Sequence, residues 1–243
     1  IVAHGPLHYL PFNALYDGNG YLIERYSLRL LPSASVLKYL KGVRPQTAGT
    51  LLAFGNPDLG DPQLDLKYAQ AEALSVSKIL PNSKALVRKE ASETSFKRYG
   101  EGFRYLHIAS HGTFNADSPL SSALLLAKDS TNDGTLTVGE LYSMRLNADL
   151  VTLSACETGL GKIANGDDVV GLTRGFLYAG SRSIVASLWK VDDEATAYLM
   201  TRFYGALKGT SKREALRLAQ LETRKKYPHP YYWAAFQLTG EAS

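Results

Sequence analysis

Only one cysteine, Cys156, stands among the 243 residues, so no internal disulfide can form. That excludes the disulfide-stapled secreted scaffolds and fits a reducing, cytoplasmic setting. Long apolar runs are lacking as well. The longest uncharged ones, Leu150 to Cys156 and Ile184 to Trp189, fall far short of the ~20 residues of a membrane span. Neither sign of charge dominates: 27 basic side chains face 23 acidic ones, for a formal +4. The local basic excess between Lys208 and Lys226 lacks the aromatics and glycines of a nucleic-acid platform and reads as a solvated helix face. Neither a nucleic acid nor a membrane is therefore expected as a partner. No Gly-x-Ser-x-Gly occurs, which removes the serine-hydrolase elbow. The turn Gly55-Asn56-Pro57-Asp58-Leu59-Gly60 has no lysine and is no phosphate loop. No two His, Cys, Asp or Glu residues share ligand spacing on one element, so neither a metal nor another cofactor is expected. The chain opens Ile1-Val2-Ala3-His4, with no initiator Met and no charged leader, and reads as a piece of a longer protein.

What is present is ordinary for a globular domain: 45% hydrophobic and 21% charged residues. The first ~45 residues are rich in Pro, Tyr and Leu. Asp17-Gly18-Asn19-Gly20 suggests a hairpin from Pro11 to Arg29. Beyond it, short apolar runs alternate with amphipathic ones. Strands are expected at Thr50 to Phe54, Lys84 to Val87, Tyr105 to Ser110, Asp149 to Ser154, Arg182 to Leu188 and Trp233 to Leu238. Helices are expected at Tyr68 to Leu80, Ser92 to Tyr99, Val169 to Ala179, Asp193 to Leu207 and Ser211 to Lys225. Ser92 and one of Asp192 or Asp193 serve as caps. Ala123 to Ala127 and Leu136 to Leu141 flank a polar loop. Alternating strands and helices pair in parallel through right-handed crossovers. Runs such as Leu51 to Phe54, apolar on both faces, suit strands covered on each side. The expected fold is a three-layer α/β sandwich of about six mostly parallel strands flanked by helices. No linker divides it.

Ligands of open α/β sheets bind beyond the carboxyl ends of the strands. Two strands end in capable residues. One runs into Ser110-His111-Gly112, the other into Ser154-Ala155-Cys156-Glu157-Thr158-Gly159. Parallel neighbours would bring His111 and Cys156 to one edge, the minimum for a thiol nucleophile with an acid/base partner. Gly112 and Gly159 leave room for a substrate main chain, and backbone N–H groups there can face an oxyanion. Glu157 beside the thiol, with only Lys162 nearby, argues for activation by His111 rather than a resting thiolate. His107 shares parity with His111 and lies deeper on the same face. The loop Leu160 to Asp168 follows the nucleophile and is expected to be mobile without substrate, with Asp167 and Asp168 as caps of the next helix.

These motifs resemble the CHAT domain, a caspase-like peptidase module found behind tetratricopeptide repeats, and more distantly caspases and separases. The resemblance runs nearly the whole length. It takes in Gly5 to Phe12, Leu31 to Ser35, Ala69 to Ala73, the His-Gly motif His107 to Gly112, Ser118 to Leu124, and the Cys motif Leu153 to Gly159. Gly171 to Gly180, Ser187 to Trp189 and Trp233 to Gly240 continue it. It implies one CHAT domain over 1–243 and a cysteine endopeptidase, a thiol hydrolase with a His111–Cys156 dyad. The backbone N–H groups of Gly112 and Cys156 would bind the oxyanion. It also implies a protein or peptide substrate, and control by tetratricopeptide repeats in the same full-length chain. Caspases carry Gln-Ala-Cys-x-Gly with the histidine about 50 residues upstream. Here Ser154 replaces Gln, glycine stands at +3, and His111 lies 45 residues before Cys156. Asp-specific cleavage is therefore not expected. In separase-like relatives the segment after the next strand supplies acid to a pocket for a basic P1 side chain. Here it offers Asp192 and Asp193, with Lys190 opposing them. Asp168 is the remaining pocket candidate. The rival reading is a catalytically silent domain of the same fold, used for protein interaction or signalling.

Overall fold

The computed structural model describes residues 1–36, 38, 49–113, 115, 117–154 and 167–243, with the side chains of 167–170 outside that description. Among the described residues nine strands run in chain order as β1 (Gly49–Pro57), β2 (Lys84–Arg88), β3 (Phe103–Ala109), β4 (Gly112–Thr113), β5 (Ala123–Leu125), β6 (Thr135–Thr137), β7 (Leu150–Leu153), β8 (Ser183–Ser187) and β9 (Phe236–Gly240). The helices are α1 (Leu22–Arg25), α2 (Lys67–Val76), α3 (Glu93–Tyr99), α4 (Val138–Leu141), α5 (Asp167–Tyr178), α6 (Asp193–Ala206) and α7 (Lys212–Lys226). Six strands form one sheet in the order β2-β1-β3-β7-β8-β9. All of its pairings are parallel except β8 with β9. The sandwich expected from the sequence is thus present. A second, three-stranded sheet, β4-β5-β6, is antiparallel.

Side-chain alternation divides the core into two layers. Leu52, Phe54, Leu106, Ile108, Val151 and Leu153 point to one face, where α3, α4 and α5 cover them with Phe96, Leu141 and Phe176. Leu51, Ala53, Tyr105, Leu150 and Val185 point to the other, under α2, α6 and α7. Leu51, Leu52, Ala53 and Phe54 are all 0% exposed. This is why β1 is apolar without a break: a strand between two helix layers has no solvent face. Each such leucine or phenylalanine contributes about 1.5–3 kcal/mol by burial.

Local chemistry sets the element ends. Ser92 Oγ accepts from the Ser95 N–H (3.1 Å) and starts α3. Asp192, not Asp193, caps α6, accepting from the Ala195 N–H at 3.0 Å. Gly180, at φ +106, stops α5, and a β-carbon there would lie 2.4 Å from the Leu146 carbonyl oxygen. α2 ends at Val76, short of the Leu80 limit read from the sequence; residues 77–80 close as turns, with Ser77 Oγ donating to the Leu74 carbonyl. β1 continues through Gly55-Asn56-Pro57, where the sequence suggested a turn, because a bulge lets Pro57 pair with Arg88. The last strand starts at Phe236, since Pro230–Tyr232 forms a 3-10 turn. The Pro11–Arg29 hairpin is reduced to one bridge, Tyr16 to Tyr21, around a turn in which Asp17 accepts from the Asn19 and Gly20 N–H groups. A capping box on Glu24 then turns the chain into α1. Among the described residues no helix is long and apolar enough to cross a membrane.

Candidate active site

The strand order places the crevice. From β1 the chain steps outward to β2, then returns on the other side of β1 to β3. That reversal opens a gap at the carboxyl ends of the strands. β3 and β7 are parallel neighbours, with Ile108 opposite Leu153. His111 follows β3. Cys156 follows β7 in sequence and lies outside the described residues, as do Glu157, Gly159 and the loop from Leu160 to residue 166. The described chain on that strand stops at Ser154, whose N–H donates to the Ile108 carbonyl (2.9 Å).

His111 is 7% exposed. Its Nε2 lies 2.8 Å from the carbonyl oxygen of Leu64, in the segment leading into α2. A carbonyl only accepts, so Nε2 carries the proton and Nδ1 is the basic nitrogen of the neutral ring. Leu64 thereby does what a carboxylate does in many triads: it fixes the tautomer and the ring plane. The His111 carbonyl accepts from the Leu125 N–H (2.9 Å), and Ser110 Oγ donates to the Leu125 carbonyl. Gly112 opens β4 opposite Leu124. The small sheet thus clamps the main chain on both sides of the histidine.

Between α2 and α6, at the end of β7, lies a cleft of about 420 Å³, open mouth included, lined by Glu72, Ser154, Ser187, Lys190, Asp193 and Thr196 together with apolar residues of α2. Asp193 faces this cleft. Burial raises the pKa of its carboxyl above the usual 3.8, and the neighbouring Asp192 and Glu72 add to the rise while Lys190 opposes it. Asp192 is not among the lining residues; its carboxylate is committed to the α6 cap. Asp168 is the second residue of α5, and its side chain lies outside the described residues.

Under the cleft runs a polar chain that the sequence did not announce. Ser154 Oγ donates to Glu72 Oε1. The same oxygen lies 2.9 Å from His107 Nε2, at ion-pair distance but without hydrogen-bond alignment. His107 Nδ1 meets the Tyr204 hydroxyl at 3.2 Å, and that hydroxyl donates to Thr152 Oγ1 at 2.9 Å. Complete burial raises the Tyr204 pKa far beyond its ordinary value, so it stays a neutral donor. The available signal for Glu72 was its helical position: Ala69, Ala73 and Val76 form the buried arc of α2, and Glu72 falls within it. Gly55 sets the depth of that helix. A β-carbon there would lie 2.5 Å from Ala73 Cβ and 2.7 Å from the Ala69 carbonyl oxygen. Asn56 Oδ1 anchors the helix start by accepting from the Leu66 N–H (2.8 Å). Among the described residues no group of three metal-ligating side chains comes together.

Comparison with known proteins agrees with this fold. The family model described as the CHAT domain matches residues 1–241. Tetratricopeptide repeat protein 28 of Homo sapiens is 28% identical over 295 residues, covering 99% of this chain and 12% of that protein. Its Mus musculus counterpart is 26% identical with the same coverage. The chain therefore spans only a small part of these relatives' length. Among solved structures, the Saccharomyces cerevisiae separase–securin complex superposes with a TM-score of 0.65 at 14% identity, over 97% of this chain and 15% of that one. The Arg-specific cysteine proteinase gingipain R gives 0.54 at 10% identity, over 86% and 50%. At such identities the likeness is one of fold, and that fold is peptidase-like.

Proposed function

Because the chain belongs to the CHAT domain family, we propose that it is a cysteine endopeptidase working through a His111–Cys156 dyad on protein or peptide substrates in the cytoplasm. One observation carries this reading: His111 stands at the carboxyl end of β3, beside β7, with Nε2 committed to the Leu64 carbonyl. In the proposed reaction, Nδ1 takes the Cys156 thiol proton and the thiolate attacks the scissile carbonyl. The N–H groups of Gly112 and Cys156 receive the oxyanion. The imidazolium then gives its proton to the leaving amine, and a water, deprotonated by the same nitrogen, hydrolyses the thioester and frees the thiol. Carboxylate at the cleft wall, Asp193 with Lys190 against it, supports Arg or Lys at P1 over Asp, with Leu or Met as the runner-up. The matched relatives bear the name of a repeat protein, which supports control by tetratricopeptide repeats in the full-length chain. The test is cleavage of fluorogenic peptides differing only at P1, by this chain and by its full-length parent. Cys156→Ala should abolish turnover and His111→Ala should lower kcat about 100-fold or more. Wild-type turnover by Cys156→Ala would leave the rival reading, an interaction domain of the same fold.

A further inference from the structure

The cleft contains a carboxylate for which the dyad has no use. Glu72 is 3% exposed, yet it lines the cavity. A carboxylate at that depth is costly without donors or a cation. Its two described partners, Ser154 Oγ and His107 Nε2, both address Oε1. Oε2 has no hydrogen-bond donor among the described residues, and it is not one of the sealed polar atoms left without a partner. Across the cavity Asp193 supplies a second carboxylate from α6, and Ser187 adds a hydroxyl. The cleft thus presents acid from two walls. Among the described residues that line it, the one lysine or arginine is Lys190, which is exposed.

We propose that Glu72 is a specificity-determining residue of this cleft, forming with Asp193 a two-walled carboxylate seat for an arginine side chain. A guanidinium suits the seat better than an ammonium. It is planar, offers five donors in a fixed fork, and is more weakly hydrated, so it can reach carboxylates on opposite walls at once. Ser154 holds Oε1 and so pins the carboxylate in place, with His107 Nε2 2.9 Å from the same oxygen. The Tyr204–Thr152 pair behind His107 keeps that ring from turning. Ser154 lies two residues before Cys156 in sequence, so the same contact ties the seat to the strand that bears the nucleophile. Lys190 competes for the site and sets how readily a substrate cation enters. The assignment of this side chain to P1 rests on the peptidase reading; the binding of a cation does not.

The test therefore measures binding apart from turnover. Cys156→Ala protein is titrated with 1-butylguanidinium, butylammonium and the neutral butylurea, following the 13C shift of the Glu72 carboxyl by NMR. The guanidinium should move that signal and butylurea should not, with butylammonium weaker than the guanidinium. Glu72→Gln, which keeps an acceptor for Ser154, should weaken guanidinium binding about 10- to 100-fold. Lys190→Met should strengthen it. An unmoved Glu72 carboxyl in the Cys156→Ala protein, or a folded Glu72→Gln that binds as tightly, overturns the proposal. Guanidinium binding that depends on Glu72, in a protein whose full-length parent with Cys156 intact cleaves no peptide, sustains it and overturns the peptidase reading instead.

Discussion

Asp149→Ala should unfold this protein several degrees early while leaving its cleft specificity alone. Asp149 precedes β7 and is 5% exposed. Its carboxylate receives the Lys212 ammonium at 3.0 Å and the Arg104 guanidinium at 3.0 and 3.2 Å. Lys212, the first residue of α7, is 2% exposed and also holds Glu241 at 2.8 Å and the Asp149 carbonyl at 3.1 Å. Removing one member of a buried pair strands the other charge, at a cost of about 3–5 kcal/mol. Here Glu241 and the main-chain carbonyl survive the substitution, and Arg104, at the surface, turns to water. The low end, about 3 kcal/mol, is therefore expected. At 2–4 °C per kcal/mol for a chain of this size, Tm should drop by about 6–12 °C. Lys225→Ala, which breaks an exposed pair with Glu222, should leave Tm near that of the parent. The acid limb carries a sign as well. Burial works to raise the Asp149 pKa, but Lys212 and Arg104 outweigh it and hold the carboxyl below 3.8. Its contribution is thus full above that unfolded value and is lost as pH falls through the lower folded one. The parent should destabilise more steeply below pH 4 than Asp149→Ala does. Five residues of extended chain, roughly 16 Å, separate this cluster from Ser154, so P1 selectivity should not change. Differential scanning calorimetry decides it: a Tm within 2 °C of the parent, with two-state unfolding, would show that the cluster stabilises nothing.

Three further outcomes follow from the same contacts. Asp192→Ala should cost about 1 kcal/mol through the lost α6 cap without altering P1 preference, whereas Asp193→Asn should reduce the Arg-over-citrulline preference; the reverse pattern in a peptide series would move the pocket onto Asp192. Tyr204→Phe should destabilise by about 1–3 kcal/mol, because Thr152 and His107 both lose a buried partner; an unchanged urea midpoint would contradict that. Asp193 has a raised folded pKa, so the unfolded chain ionises first. Stability should accordingly fall as pH rises from 3.8 through the folded value, while butylguanidinium binding strengthens over the same interval. Asp193→Asn should remove both trends, and pH titrations of Tm and of affinity read them directly.

Much of the fold was legible because the parallel strands are buried on both faces. Leu51 to Phe54 is a continuous apolar run for that reason, Leu150 to Leu153 is one but for the buried Thr152, and no solvent-facing alternation dilutes them. Their order in the sheet was harder to read. Nothing local in Lys84–Arg88 says that it forms an edge, and that placement depends on which helix covers which face. The small β4-β5-β6 sheet escaped because its strands are only two or three residues long, below the length at which a two-residue period is visible. The first thirty residues misled for a different reason. Asp17 and Gly20 do form a turn, but Glu24 reaches back to the Tyr21 N–H (3.1 Å) and converts the expected return strand into a helical turn.

The site divides along the same physical line. His111 was findable because histidine and glycine after an apolar strand form a local pattern, and strand ends are where such sheets bind. Its orienting partner was not findable in that way. The Leu64 group is a main-chain carbonyl, present at every residue, and only the path from β1 into α2 brings it to Nε2. Glu72 lies between these cases. On the helical wheel it falls in an apolar arc, which marks a carboxylate that must be satisfied inside. Its partners, Ser154 just past β7 and His107 in β3, lie at sequence separations of 82 and 35 residues. A one-dimensional pattern can therefore say that such a group needs a cation or donors, since burial without them is too costly to persist. It cannot say which residues answer. The distance from Gly55 to Ala73 does, because it fixes how deep α2 sinks and hence where Glu72 meets the strand ends. A larger residue at Gly55 would lift the helix and carry Glu72 away from Ser154 and the cleft together. Packing at a glycine of β1 thus controls the electrostatics of a site whose nucleophile is expected two strands away.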